Sequence, residues 1–165
     1  MSIYQESKVD LVAWINKKAG VTFAATDFIF SPPAVNDNPA TSTKNTKLRI
    51  TVVPERAGYK GTSVIYYDRL SLAKLADFPV PDYPPTGGVG QSVYDLLARI
   101  KTATGIPFTS DDLEETFVED DGANGRVLLK AKATSLGWIG QFYLVLGAKP
   151  SFAALFKTDS INWSS

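Results

Sequence analysis

The chain of 165 residues contains no cysteine and no histidine. Without cysteine there is no disulfide, no thiolate nucleophile and no thiolate metal site. Without histidine the commonest general base and the commonest metal ligand are both missing. An excess of either charge is missing too, since 17 Lys and Arg balance 17 Asp and Glu. The sequence therefore carries no electrostatic footprint for nucleic acid or for an anionic membrane, and neither is expected as a partner. No apolar run approaches the roughly 18 residues of a membrane span. Residues 1–6 have neither the basic start nor the apolar middle of a secretory signal, so none is expected.

What is present is a repeated motif. Gly58-Tyr59-Lys60-Gly61 leads into Thr62-Ser63-Val64-Ile65-Tyr66-Tyr67, and Gly137-Trp138-Ile139-Gly140 leads into Gln141-Phe142-Tyr143-Leu144-Val145-Leu146. Each copy is glycine, aromatic, any residue, glycine, then aromatic and β-branched residues. That composition predicts a tight connection feeding a buried strand. Upstream of the first copy, Ser7 is a candidate N-cap, and Asp10 lies in the first turn of a helix. Val9, Leu11, Val12 and Ile15 form its apolar stripe, with Trp14 beside it. Gly20 is its left-handed stop, after Lys17 and Lys18. Phe28-Ile29-Phe30 reads as a short strand before Pro32 and Pro33. Residues 35–46 read as a surface loop, and residues 48–53 as a strand of period two. The second strand of a hairpin runs over residues 62–67.

The same order recurs further along. Ser92, Asp95, Leu96 and Ala98 match Ser7, Asp10, Leu11 and Ala13 at a constant offset of 85. Gly105, Phe108, Asp112 and Leu113 match Gly20, Phe23, Asp27 and Phe28 at that offset. From Val127, Leu129 and Ala131 onward the offset to Leu48, Ile50 and Val52 is 79. The lost six residues fall in the surface loop, where deletions are tolerated. Gly58 and Gly137 are expected in equivalent turns. Between the halves, Pro79, Pro81, Pro84 and Pro85 predict a stiff extended stretch, and Gly87, Gly88 and Gly90 a flexible one. The reading is α+β, with two internally repeated units of helix, short strand and antiparallel hairpin sharing a core. Their ranges are residues 1–76 and 92–148, with a linker over 77–91 and a C-terminal extension over 149–165.

Groups able to carry chemistry are few. Asp111, Asp112, Glu114, Glu115, Glu119, Asp120 and Asp121 form an acidic run. A calcium loop beginning at Asp120 would put Ala131 where a bidentate Glu is required. The run reads instead as the start of a short helix capped by Thr109, followed by an exposed turn. The glycines of the linker lack the Lys-Ser or Lys-Thr of a phosphate loop, having Gln91-Ser92 in that place. No Gly-x-Ser-x-Gly elbow is present. Tyr66, Tyr67, Trp138 and Tyr143 are able to stack on sugars, but as strand residues they are expected in the core. No catalytic residue, metal ligand or cofactor is assigned. Phe152, Leu155, Phe156, Ile161 and Trp163 are assigned to assembly, as an apolar arm.

Four stretches together resemble a family. They are Asp10 to Ala13, Gly20 to Phe23, Asn45-Thr46-Lys47-Leu48, and Gly58 to Tyr67, with the second copy behind them. The pattern is similar to that of virion structural proteins of large tailed bacteriophages, over roughly residues 7–148. The resemblance implies a repeated subunit located in the virion, in head decoration, tail, collar or baseplate. Its partners would be other virion proteins and copies of itself. A carbohydrate- or receptor-binding module on a particle or fibre is the alternative, and an enzyme is not expected.

Overall fold

A computed structural model describes residues 6–77, 87–120 and 125–147. The protein is mixed α+β. Helix α1 (Ser7–Ala19) buries Leu11, Val12 and Ile15. At about 100° per residue these three span an arc of about 100°. Val9 and Trp14 stand beyond its two edges and are 49% and 38% exposed. Val9 thus lies outside the expected stripe. Gly20 closes the helix at φ 68 with its N–H on Asn16 O. The Asn16 side chain then pins the exit, bonding both the N–H and the carbonyl of Phe23 at 2.9 Å.

Strands β1 (Phe28–Phe30), β2 (Ala34–Val35), β3 (Thr46–Val52) and β4 (Gly61–Tyr67) form one antiparallel sheet. The central strand β3 pairs with β4 from Thr46↔Tyr67 to Val52↔Gly61. Its other edge takes β1 at Phe28↔Val52 and β2 at Ala34↔Lys47. Alternation turns Thr46, Leu48 and Ile50 inward. Pro54 opens a one-turn helix α2 (Pro54–Ala57), which Gly58 ends in the left-handed region at φ 67.

The second half has helix α3 (Val93–Thr104), capped by Ser92, whose Oγ accepts from Tyr94 N–H. Gly105 closes it at φ 74. Strands β6 (Glu119–Asp120), β7 (Gly125–Lys130) and β9 (Gln141–Leu146) make a three-stranded antiparallel sheet. Strand β7 pairs with β9 from Gly125↔Leu146 to Lys130↔Gln141, and with β6 at Glu119↔Arg126. Leu113 bridges Ala131. Two short strands, β5 (Leu70–Ser71) and β8 (Trp138–Ile139), pair in parallel and tie the halves together.

Apolar burial divides into two clusters rather than one shared core. The first holds Leu11, Ile15, Phe28, Leu48, Ile50 and Tyr67; the second holds Leu96, Ile100, Leu113, Val127, Leu129 and Leu146 among others. Each borrows from the other half. Leu72, on a 3-10 helix (Leu72–Asp77), is fully buried in the second cluster, and Leu136 packs on the first.

Several sequence expectations are corrected. Ser7 does not cap α1. It is the first helical residue and is buried, and its hydroxyl donates to Asp112 in the other half. A carboxylate is the stronger partner. The acidic run does not begin a helix. Thr109 N–H and Oγ both donate to Asp112 Oδ2, which folds a turn, and Leu113 then joins the sheet edge. Gly58 and Gly137 do not share a conformation, because only Gly58 has positive φ. The second glycine of each motif carries the shared strain-free role, Gly61 at φ 116 and Gly140 at φ 81. Gly87–Gly90, expected to be loose, is tied down. Gly90 N–H bonds Val118 O, and a Cβ on Gly87 would stand 3.1 Å from Leu96 and Leu146 methyls.

Candidate functional site: a buried polar junction

Ser7, Thr46, Arg69, Asp112 and Ser135 are the buried polar residues among those described. All five lie where the two halves meet. Asp112 is 2% exposed, and its two oxygens receive four hydrogen bonds. Oδ1 accepts from Ser7 Oγ at 2.8 Å and from Ser135 Oγ at 3.0 Å. Oδ2 accepts from Thr109 N–H at 3.1 Å and Thr109 Oγ at 2.9 Å. Ser135 Oγ also accepts from Trp138 N–H, so one hydroxyl links the turn to β8.

Arg69 completes the junction from the other side. It follows β4 and is 8% exposed. Nε donates to Thr46 Oγ at 3.1 Å, and Nη1 donates to the carbonyls of Ala133 and Ser135 at 3.3 Å. No carboxylate pairs with it among the described residues. Burial lowers its pKa, partly opposed by the nearby Tyr67. Tyr67 donates its hydroxyl to Leu136 O at 2.8 Å, and burial pushes its pKa up to about 12. Asn45 secures the same bend, its Oδ1 accepting from Arg69 N–H and its Nδ2 donating to Arg69 O. Every buried side-chain nitrogen or oxygen among the described residues has a partner. A cleft of about 420 Å³ opens beside the junction, lined by Lys8, Phe30, Asp111, Lys132 and Leu136 among others.

The rest of the acidic run scatters. Glu114 pairs with Lys130 at 2.7 Å, Glu119 with Arg126 at 3.3 Å, and Glu115 accepts from Ser92 Oγ at 2.9 Å. Asp121 and the assembly residues Phe152, Leu155, Phe156, Ile161 and Trp163 lie outside the described residues. Of the four aromatics weighed for stacking, Tyr67 and Trp138 are buried, Tyr66 is half-buried, and Tyr143 is 42% exposed under Arg126. A second groove, of about 370 Å³, joins Trp14 and Tyr66 with Asp10, Lys17, Lys44 and Asp68. Arg69 and Ser135 were not singled out from sequence. A lone arginine between an exposed Asp68 and Leu70 carries no mark of burial.

Fold and site define an α+β protein whose polar interior is spent on joining two halves. The chain belongs to a family of unknown function (DUF7941), whose model matches residues 1–162. No curated protein and no solved structure matches it. Among the described residues no helix is long and apolar enough to cross a membrane.

Proposed function

We propose that the chain is a structural subunit of a tailed-bacteriophage virion, in head decoration, tail, collar or baseplate. It acts through protein–protein contacts and is built by internal duplication into two units of helix, short strand and hairpin.

Hydrogen-bond register supports the duplication. Asp27 Oδ2 accepts from Ala24 N–H, as Asp112 Oδ2 accepts from Thr109 N–H. Val53 N–H bonds Asp27 O, as Lys132 N–H bonds Asp112 O. The β3–β4 ladder becomes the β7–β9 ladder when 79 is added to each residue. Ala34↔Lys47 becomes Glu119↔Arg126 when 85 is added to the first partner and 79 to the second. The change of offset therefore falls in the connection between those strands, the segment read as a surface loop.

The observation that carries the functional reading is the destination of the buried polar groups. Ser7, Thr46, Arg69, Asp112 and Ser135 are all committed to cohesion between the units. Ser7 and Asp112 also line the cleft beside the junction, but the Ser7 hydroxyl is spent on Asp112, and the Asp112 carboxylate on Ser7, Ser135 and Thr109. The proposed arm, residues 149–165, adds an apolar contact with a neighbour. Truncation after Ala148 tests it. A folded protein that no longer enters particles supports the arm, whereas normal incorporation at physiological salt rejects it. Loss of folding would assign the tail to the chain's own core.

The groove around Trp14 and Tyr66 favours a second reading, a carbohydrate-binding module. Sugar sites combine an aromatic face with flanking carboxylates. Asp10 and Asp68 line this groove, Asp68 paired with Lys44 at 2.7 Å. A glycan array separates the two readings. Binding that is lost on Trp14→Ala favours the module, and absence of binding favours the structural subunit.

A further inference from the structure

The contact between the halves is lopsided. The first half contributes the start of α1, through Ser7, and the segment leaving β4, through Tyr67, Arg69 and Leu70. The second contributes its Asp112 turn and the connection into β9, residues 133–139. On the duplication reading, on which this inference rests, Ser7, Tyr67, the Asp112 turn and residues 133–139 have counterparts among the described residues, while those of Arg69 and Leu70 fall at positions 148 and 149, outside them. Ser92 and Leu146 answer Ser7 and Tyr67. Asp27 and residues 54–60 answer Asp112 and residues 133–139. A two-fold contact would use both sets and bring Ser92 to Asp27. Instead Ser92 Oγ donates to Glu115 within its own half, and Asp27 accepts from Ala24 N–H. The halves meet head to tail, which leaves one face of each kind outside that contact.

The two remaining faces suit each other. Tyr59 is 52% exposed, while its counterpart Trp138 is 5% exposed beneath the inter-half contact. Phe117 is 54% exposed in the place of Pro32, which lines the inter-half cleft. Phe30 and Leu136 line that cleft together. Their counterparts are Glu115 and Ala57, and Ala57 adjoins the exposed Arg56. A repeat of the contact between two chains would therefore set Glu115 against Arg56. The wider charge agrees in sign. Residues 1–72 hold nine Lys and Arg against six Asp and Glu, and residues 91–150 hold six against eight.

We propose that the face around Arg56 and Tyr59 binds the face around Glu115 and Phe117 of a second copy of this chain, repeating the contact already made between the halves. Each added copy presents the same open face, so growth gives a ring or an open filament according to whether the rotation closes.

Sedimentation velocity on the full chain, over a concentration series at low and at physiological salt, tests this. The wild type is expected to grow beyond a dimer, and more so at low salt. Tyr59→Glu and Phe117→Glu, each alone, should weaken association by about tenfold or more, as a charge placed in an apolar contact does. Mixed in equal amounts they retain one intact pair of faces and should form a dimer that stops there. Arg56→Glu with Glu115→Arg in one chain should assemble where either alone does not, and both positions are exposed enough to spare the fold. A wild type that stays monomeric throughout, single variants that assemble like it, or a mixture that yields no dimer would overturn the proposal. Incorporation into particles is scored separately. A chain that enters particles but never self-associates defeats this inference alone, and one that self-associates but is absent from particles defeats the virion reading alone.

Discussion

Removing the carboxylate of Asp112 is the sharpest perturbation of the junction. Asp112→Ala strands four donors, those of Ser7 Oγ, Ser135 Oγ, Thr109 N–H and Thr109 Oγ. Each charge-assisted bond contributes about 1.5–3 kcal/mol, and each buried donor left unpaired costs about 1–3 kcal/mol. The groups are neighbours and some will re-pair, so the sum is not additive. A loss of about 3–5 kcal/mol follows, in line with breaking other buried charged contacts. For a domain of this size that is a fall of about 6–20 °C in melting temperature. Asp27→Ala is the internal control. It removes a carboxylate from the corresponding turn, but a half-buried one, whose Oδ2 accepts from Ala24 N–H at the surface. A cap of that kind contributes about 0.5–2 kcal/mol. Urea unfolding of both variants reads the contrast directly. If Asp112→Ala costs no more than Asp27→Ala, the junction does not hold the halves together and the reasoning fails.

Three further outcomes are expected. Arg69→Met removes three hydrogen bonds from a buried cation and should cost about 2–4 kcal/mol, less than the sum of the bonds because the desolvation of the guanidinium is recovered; urea midpoints at constant slope measure it. Leu72→Ala empties a fully buried site in the second cluster and should cost about 2–5 kcal/mol, with α3 amides losing more hydrogen-exchange protection than α1 amides. Tyr67 should ionise late, near pH 12, in an alkaline absorbance titration, and that step should vanish from the curve in Tyr67→Phe. The sign follows from burial. The folded pKa stands above the ordinary 10.0, so the stability due to the neutral phenol is whole below about pH 10 and is lost as pH rises toward 12.

Local signals were legible in the sequence. Gly20 and Gly105 end their helices because a left-handed C′ residue is almost a glycine monopoly, and both follow a run of helical spacing. Phe28-Ile29-Phe30 and the Thr46–Val52 hairpin strand follow from β-branched and aromatic residues bounded by proline or glycine. What escaped was long-range. Ser7 and Asp112 are 105 positions apart, and nothing local distinguishes a serine that caps its helix from one that crosses to another unit. The parallel pair of β5 with β8 is two residues long, too short for any periodicity to register. Leu70, Leu72 and Leu75 sit in the first unit's sequence but pack into the second cluster, because the chain leaving β4 crosses before it reaches the proline stretch. The acidic run failed as a helix start because Asp112 has a turn to close and a junction to serve, and that demand outweighs the propensity of its neighbours.

The central claim is that this chain is a repeated structural part of a tailed-phage particle. Quantitative mass spectrometry on purified tailed-phage particles, with copy number per particle, tests that claim most directly. The account predicts a fixed copy number, in the hundreds for a head or tail component and six or twelve for a vertex, collar or baseplate component. Its absence from purified particles, with the chain abundant in the infected-cell lysate, would contradict it.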